Sequence, residues 1–211
     1  WSQAVVVRPL GNLCNMLKQV AKIISLSQGA DSPLDSERDV FVVNLGGFDT
    51  HFDLIEDFSA NMRDLNGCVE SFVKEIKRTD GLWDGVAITT LSDFGRTITS
   101  NGIGTDHGWG GNHILLGGSV SGGKIHGDYP DDLTEAGPQM LSRGRLIPTT
   151  PWEGLWHGLA EWMGVDASKM TELLPNMGKF VRETTLFTKE QLFEYLKNEW
   201  LCATNYRYRL G

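Results

Sequence analysis

Two short apolar runs separated by a long amphipathic stretch constrain this chain more than any other feature. "VFVVNL" (residues 40–45) and "GVAITTL" (residues 85–91) are apolar and rich in β-formers, as expected of strands covered on both faces by helices. Between them Leu54, Ile55, Phe58, Met62, Leu65, Val69, Phe72, Val73 and Ile76 recur at three-to-four spacing, which gives a helix one apolar face. Strand, helix and strand over this length make the unit that a parallel crossover needs. The expected class is α/β.

The rest of the chain fits around that unit. Leu13, Met16, Leu17, Val20, Ile23 and Ile24 mark a helix over residues 12–27, and the polar "ADSPLDSERD" breaks it from the first strand. Residues 94–131 are glycine-rich and are expected to be irregular apart from a short strand, "HILLGG", and a hairpin, "GGSVSGGKIHG". "WEGLWHGLAEWM" predicts a helix over 152–163 that Gly164 can cap. A last helix is expected over 188–201, before a tail without packing signature. Residues 1–183 then form the main domain and 184–211 a helical extension and tail.

Charge and composition exclude several classes. With 19 Lys plus Arg against 27 Asp plus Glu and no basic run, nucleic acid is not an expected partner. No apolar run approaches the roughly 18 residues of a membrane span. Cys14, Cys68 and Cys202 are an odd, widely spaced set without a Cys-x-x-Cys pair, which argues against a zinc knuckle and against a dense disulfide framework. The first thirty residues lack signal-peptide order. Because the sequence opens on Trp1, a fragment or a processed product is expected.

The polar residues that can carry chemistry follow the apolar strands, and ligands bind beyond the carboxyl ends of strands in α/β sheets. "NLGGFDTH" places Asp49 and His51 after the first strand, "LSDFGRT" places Asp93 and Arg96 after the second, and "GTDHGWGGNH" adds Asp106, His107 and His113. Aspartate and neutral histidine are ordinary ligands of zinc and its borderline relatives, and a catalytic site needs about three of them plus an open position. Arg96 can hold an anionic oxygen through its planar fork. The chemistry suggested is hydrolysis or group transfer on an anionic small molecule. Each residue also has a structural reading. Asp49 can cap the helix that starts near Asp53, Asp93 can form a turn or pair with Arg96, and His113 can anchor the strand it heads. His126 and His157 read as packing or surface residues. No Walker loop, dinucleotide fingerprint or G-x-S-x-G elbow is present.

Taken together, "GGFDTH", "SDFGRT", "NGIGTDHGWGGNHILLGG", "GKIHGDYP" and "RGRLIPTTP" closely resemble the carboxyl-terminal half of the family called domain of unknown function 1501, over about residues 13–180. That family is grouped with the alkaline phosphatase and sulfatase superfamily. The resemblance implies an α/β/α sandwich with a mainly parallel sheet and one or two divalent metal ions at the strand ends, zinc first and calcium, magnesium or manganese as alternatives. A nucleophilic Ser, Thr or modified Cys would hydrolyse a phosphate or sulfate ester. In that scheme Asp49, His51, Asp93 and His107 are the metal ligands; Arg96, Asp106 and His113, read from their own chemistry and placement, are the expected catalytic residues. Two departures bear on this. Asp49 and His51 stand closer together than the superfamily's usual pair, and Phe94 occupies the place of a histidine, so a single metal or an altered set with Asp106 or His113 is as consistent as a dinuclear site. The resemblance also implies that the nucleophile comes from the amino-terminal half of the same domain, as a partner to this chain, and that the location is extracytoplasmic. The alternative is a non-catalytic ligand-binding or scaffolding domain that retains the superfamily fold.

Overall fold

The computed structural model describes residues 12–28, 32, 34, 38–180 and 185–194, with the backbone of residues 4–6. The chain is mixed α/β and divides into two compact units. One contains the described residues up to Phe48 and the stretch Glu56–Gly85; the other contains Asp49–Ile55 and the described chain from Val86 onward.

The first unit holds strand β1 (Ala4–Val6), helix α1 (Leu13–Leu26), strand β2 (Val40–Val42) and most of helix α2 (Leu54–Ile76). Asn12 caps α1, its side chain accepting from the Asn15 amide at 3.1 Å, as an Asn at this position commonly does. Leu13, Met16, Leu17 and Val20 are buried, as the three-to-four spacing requires. On α2 the buried positions are Cys68, Phe72 and Ile76. A disulfide joins Cys14 of α1 to Cys68 of α2, with Cα atoms 4.7 Å apart. Cys202 lies outside the described residues. Strand β2 pairs in parallel with β1, Val5 opposite Phe41. The strand–helix–strand unit therefore falls one step earlier than the sequence suggests, with α1 rather than α2 in the crossover.

The second unit contains strands β3 (Ala87–Thr89), β4 (Gly95–Ser100), β5 (Thr105–Gly108), β6 (Leu115–Gly117), β7 (Met140–Leu141) and β8 (Arg145–Leu146), and helices α3 (Trp152–Trp162), α4 (Ala167–Leu173) and α5 (Lys189–Leu192). "GVAITTL" does form a strand, β3, but its partner is β6 in antiparallel register, Ile88 opposite Leu116. β4–β5 and β7–β8 are antiparallel hairpins. The glycine-rich segment expected to be irregular thus holds a strand pair. Its turn closes on Asn101, whose amide donates to Gly104 O at 3.0 Å and whose side-chain oxygen accepts from the amides of Ile103 and Gly104. Asparagine favours such turns because its short side chain mimics the backbone. Gly104 is needed for a second reason: a Cβ there would stand 2.4 Å from the His51 carbonyl carbon, so the segment carrying His51 packs directly on the turn.

"GGSVSGGKIHG" is not a hairpin. Val120 bridges Phe193, the Ser121 amide donates to Leu192 O, and the Glu194 amide donates to Ser119 O. The segment finds a distant partner because the residues after α5 offer an extended edge. Of the helix expected over 188–201, one turn is seen. A reciprocal Thr188–Gln191 capping box starts α5, Phe193 is already extended, and residues 195–201 lie outside those described. Leu192 is fully buried, and Phe193 stacks on Trp162 of α3 with centroids 4.7 Å apart. Gly164 ends α3 as the sequence predicts. It adopts φ 76°, its amide bonds Glu161 O, and the Val165 amide bonds Ala160 O, the paired bonds of a left-handed helix cap. Ala160, Met170 and Leu174, with Trp156, Val165 and Met177 against them, form the core beneath α3 and α4. Among the described residues no helix is long and apolar enough to cross a membrane.

Candidate metal centre

The centre is built on hairpin β4–β5 and the segment before α2. Arg96 and His107 lie directly opposite each other across the hairpin, so their side chains share one face. The amide of Thr105 donates to Thr50 O at 3.1 Å, which ties the segment bearing Asp49 and His51 to β5. Asp49 then receives three partners on one oxygen, Oδ1: Arg96 Nη1 at 2.7 Å, His107 Nε2 at 2.8 Å and His51 Nε2 at 3.0 Å. These contacts hold its carboxyl below the usual aspartate range, the His107 hydrogen bond contributing most and Arg96 next.

Asp49, His51 and His107 are the donors that converge among the described residues, with ligand atoms within 4.8 Å of one another. Ligands held about 2 Å from one zinc ion stand up to about 4 Å apart, so the spread of up to 4.8 Å is near that of a bound set but somewhat wider. Two imidazoles and one carboxylate are the donor set of a catalytic zinc site with an open position. Side-chain exposures of 55% for Asp49 and 52% for His107 keep that position accessible, unlike a closed structural site.

A second layer holds the donors. His51 Nδ1 faces Asp106 Oδ1 at 3.4 Å, the carboxylate partner that orients a ligating histidine so its other nitrogen faces the ion. Asp106 is fixed by Asn101, whose side-chain amide donates at 3.3 Å, and by an ion pair with Arg143. Its carboxyl is held low, mainly by Asn101 and then by Arg143 and His51. Asn101 also donates to His51 O at 3.0 Å. Arg96 is aimed by Thr105, which accepts from Nε at 2.9 Å and from Nη2 through its carbonyl. Phe94 stacks flat on His107, centroids 4.2 Å apart and planes 4° from parallel, which sets the plane of that imidazole.

The seven residues singled out from sequence therefore separate. Asp49, His51, His107 and Arg96 come together, and Asp106 supports His51. Asp49 turns its carboxylate to these partners rather than to the start of α2. Asp93 is exposed and stands outside the converging donors; Arg96 takes Asp49 as its ion-pair partner instead. His113 also lies outside that group, with its ring 4.3 Å from Trp152. Partial desolvation lowers its pKa, and the next amide, Ile114, donates to Thr90 Oγ1. His157 is buried in α3 with Nδ1 2.8 Å from Phe187 O, and His126 packs near Phe187. Sequence reasoning missed Asn101, Thr105 and Arg143. The Asn101-Gly102 pair was a readable turn signal, whereas nothing local marks Arg143 as a partner of Asp106, 37 residues away.

Comparison with curated proteins and with solved structures returned no match. The family model described as "Protein of unknown function (DUF1501)" matches residues 34–149. That span covers Asp49, His51, Arg96, Asp106, His107 and Arg143, and it takes in more than half of the 211 residues. The chain belongs to the DUF1501 family.

Proposed function

We propose that this chain is the carboxyl-terminal, metal-bearing portion of an alkaline phosphatase-like domain that hydrolyses phosphate or sulfate esters. The observation that carries the proposal is the convergence of Asp49, His51 and His107 beside the Arg96 guanidinium. Two nitrogens and one oxygen favour zinc over calcium or magnesium. A divalent cation held there supplies Lewis-acid polarisation of an ester oxygen. Arg96, already fixed by Thr105, donates to a non-bridging oxygen of the ester and neutralises charge that grows as the bond breaks. Asp106 holds the Nδ1 side of His51, so Nε2, which contacts Asp49 Oδ1 here, would be the atom that takes the cation, and Phe94 covers one face of the His107 ring. In this reading the nucleophile belongs to the amino-terminal half of the same domain. The Cys14–Cys68 disulfide supports an extracytoplasmic location, because such bonds persist in oxidising compartments.

One observation favours a second reading, a ligand-binding domain without turnover. Phe94 puts an apolar ring where the superfamily pattern has a histidine, which leaves a single three-donor site. Metal analysis and an ester-hydrolysis panel on the full-length protein separate the two. The hydrolase reading expects about one bound zinc, and His107→Ala should weaken it by more than about 100-fold and abolish hydrolysis. Metal bound without hydrolysis of any phosphate or sulfate ester supports the second reading. If no divalent metal binds at micromolar concentration, the hydrolase reading is lost.

A further inference from the structure

Beside the metal centre the β4–β5 turn and the β7–β8 hairpin flank an open cavity of about 330 Å³, whose largely exposed polar walls include Ser100, Asn101, Asp106, Glu135, Ser142 and Arg143. We propose that this cavity is the subsite for the alcohol portion of the substrate, and that it takes a neutral, polyhydroxylated group such as a sugar ring or a cyclitol. The proposal rests on the hydrolase reading for the ester's identity, but not for the binding itself.

Three observations lead there. Asp106 belongs to both sites, with Oδ1 toward His51 and Oδ2 paired with Arg143, so a group in the cavity lies against the wall of the metal centre. The charges on the cavity wall sum to about −1, from Asp106, Glu135 and Arg143 at neutral pH. That balance disfavours a second phosphate or sulfate, and with Leu141 the one apolar side chain in a lining that also holds Thr99, Ser100 and Ser142, an apolar tail finds little to cover it. A polyol suits it, because each ligand hydroxyl can donate to a carboxylate while its oxygen accepts from the Arg143 guanidinium. The walls are also fixed in advance. Arg143 has φ 66° and Gly144 φ 73°, the Gly144 carbonyl accepts from the Ile98 amide at 2.8 Å, and a Cβ on Gly144 would stand 2.5 Å from the Thr99 nitrogen. A non-glycine residue in the left-handed region is held there by surrounding contacts, and here they deliver the guanidinium to Asp106.

The test is a nitrogen–proton NMR titration of the full-length protein with glucose and with myo-inositol, with and without zinc. Shifts should concentrate at residues 99–106 and 135–143, with dissociation constants in about the millimolar range that suits a few hydrogen bonds to a small ligand. Arg143→Ala should weaken binding by about tenfold or more. The near-isosteric Glu135→Gln should weaken it measurably and keep the rest of the spectrum in place, which guards against a misfolded Arg143 variant. No shifts with either polyol, shifts indifferent to both substitutions, or an equal response to methylammonium overturn the proposal. Polyol binding by a protein that hydrolyses no ester sustains this inference and discards only the hydrolase reading. Ester hydrolysis by a protein that binds no polyol does the reverse.

Discussion

The two units of this chain solve the problem of small elements in opposite ways. In the first, α1 and the second half of α2 bury apolar stripes, and a covalent Cys14–Cys68 bond joins the two helices. In the second, strands of two to six residues are held by turns, close glycine packing and side-chain bonds, and the polar cluster sits on them. Helical burial is a local solution that leaves little for chemistry. Short strands with polar faces hold functional groups in place, but each depends on residues far away in sequence.

That contrast can be broken experimentally, beginning with the largest effect. Cys14→Ser removes a link across 54 residues of sequence, which the chain-entropy account values at about 4 kcal/mol. Chemical denaturation should show the loss, and zinc titration of the folded protein should show unchanged affinity. Weakened metal binding in the folded variant would mean that the two units do not carry separate tasks. Gly104→Ala should act the other way, since its Cβ would collide with the backbone at Thr50 and His51. A cost of about 2 kcal/mol is expected for such overpacking, with zinc affinity falling because His51 is displaced. Full affinity in that variant would show that the turn does not position His51.

The smallest effect concerns acid. Asp49 and Asp106 both have lowered pKa values in the folded chain. Groups of this kind contribute stability that is complete above the ordinary aspartate value of 3.8 and is lost as pH falls through the lower folded value. Both side chains are partly solvated, so screening keeps the contribution small. Thermal unfolding at about pH 5 and about pH 3 should show a smaller acid drop in Asp49→Asn, which cannot titrate. Equal drops in variant and parent would mean that Asp49 gains nothing from its three partners.

How far the fold was legible follows the same division. The bounds of α1 and the Gly164 cap could be read because the signals lie within a turn or two of the residues they govern. β4–β5 was hidden because "TITS" and "TDHG" are short and mostly polar, and glycine-rich composition reads as loop. The true partner of "GVAITTL" was hidden for another reason: an apolar strand is equally satisfied by a parallel or an antiparallel neighbour. At the site, residue type and placement after strands pointed to Asp49, His51 and His107, but the same signals were carried by Asp93 and His113.

By itself, then, the sequence determined the two amphipathic helices, the mixed α/β class and a short set of polar residues of the types that ligate metals, because periodicity and side-chain chemistry are properties of the chain. The tertiary structure decided which of those residues meet. Asp49 and His107 are 58 positions apart, and only the Arg96–His107 register, the Thr105–Thr50 backbone bond and the bare Cα of Gly104 bring them to one point. Arg143 reaches Asp106 through a turn conformation that no local preference of arginine would predict.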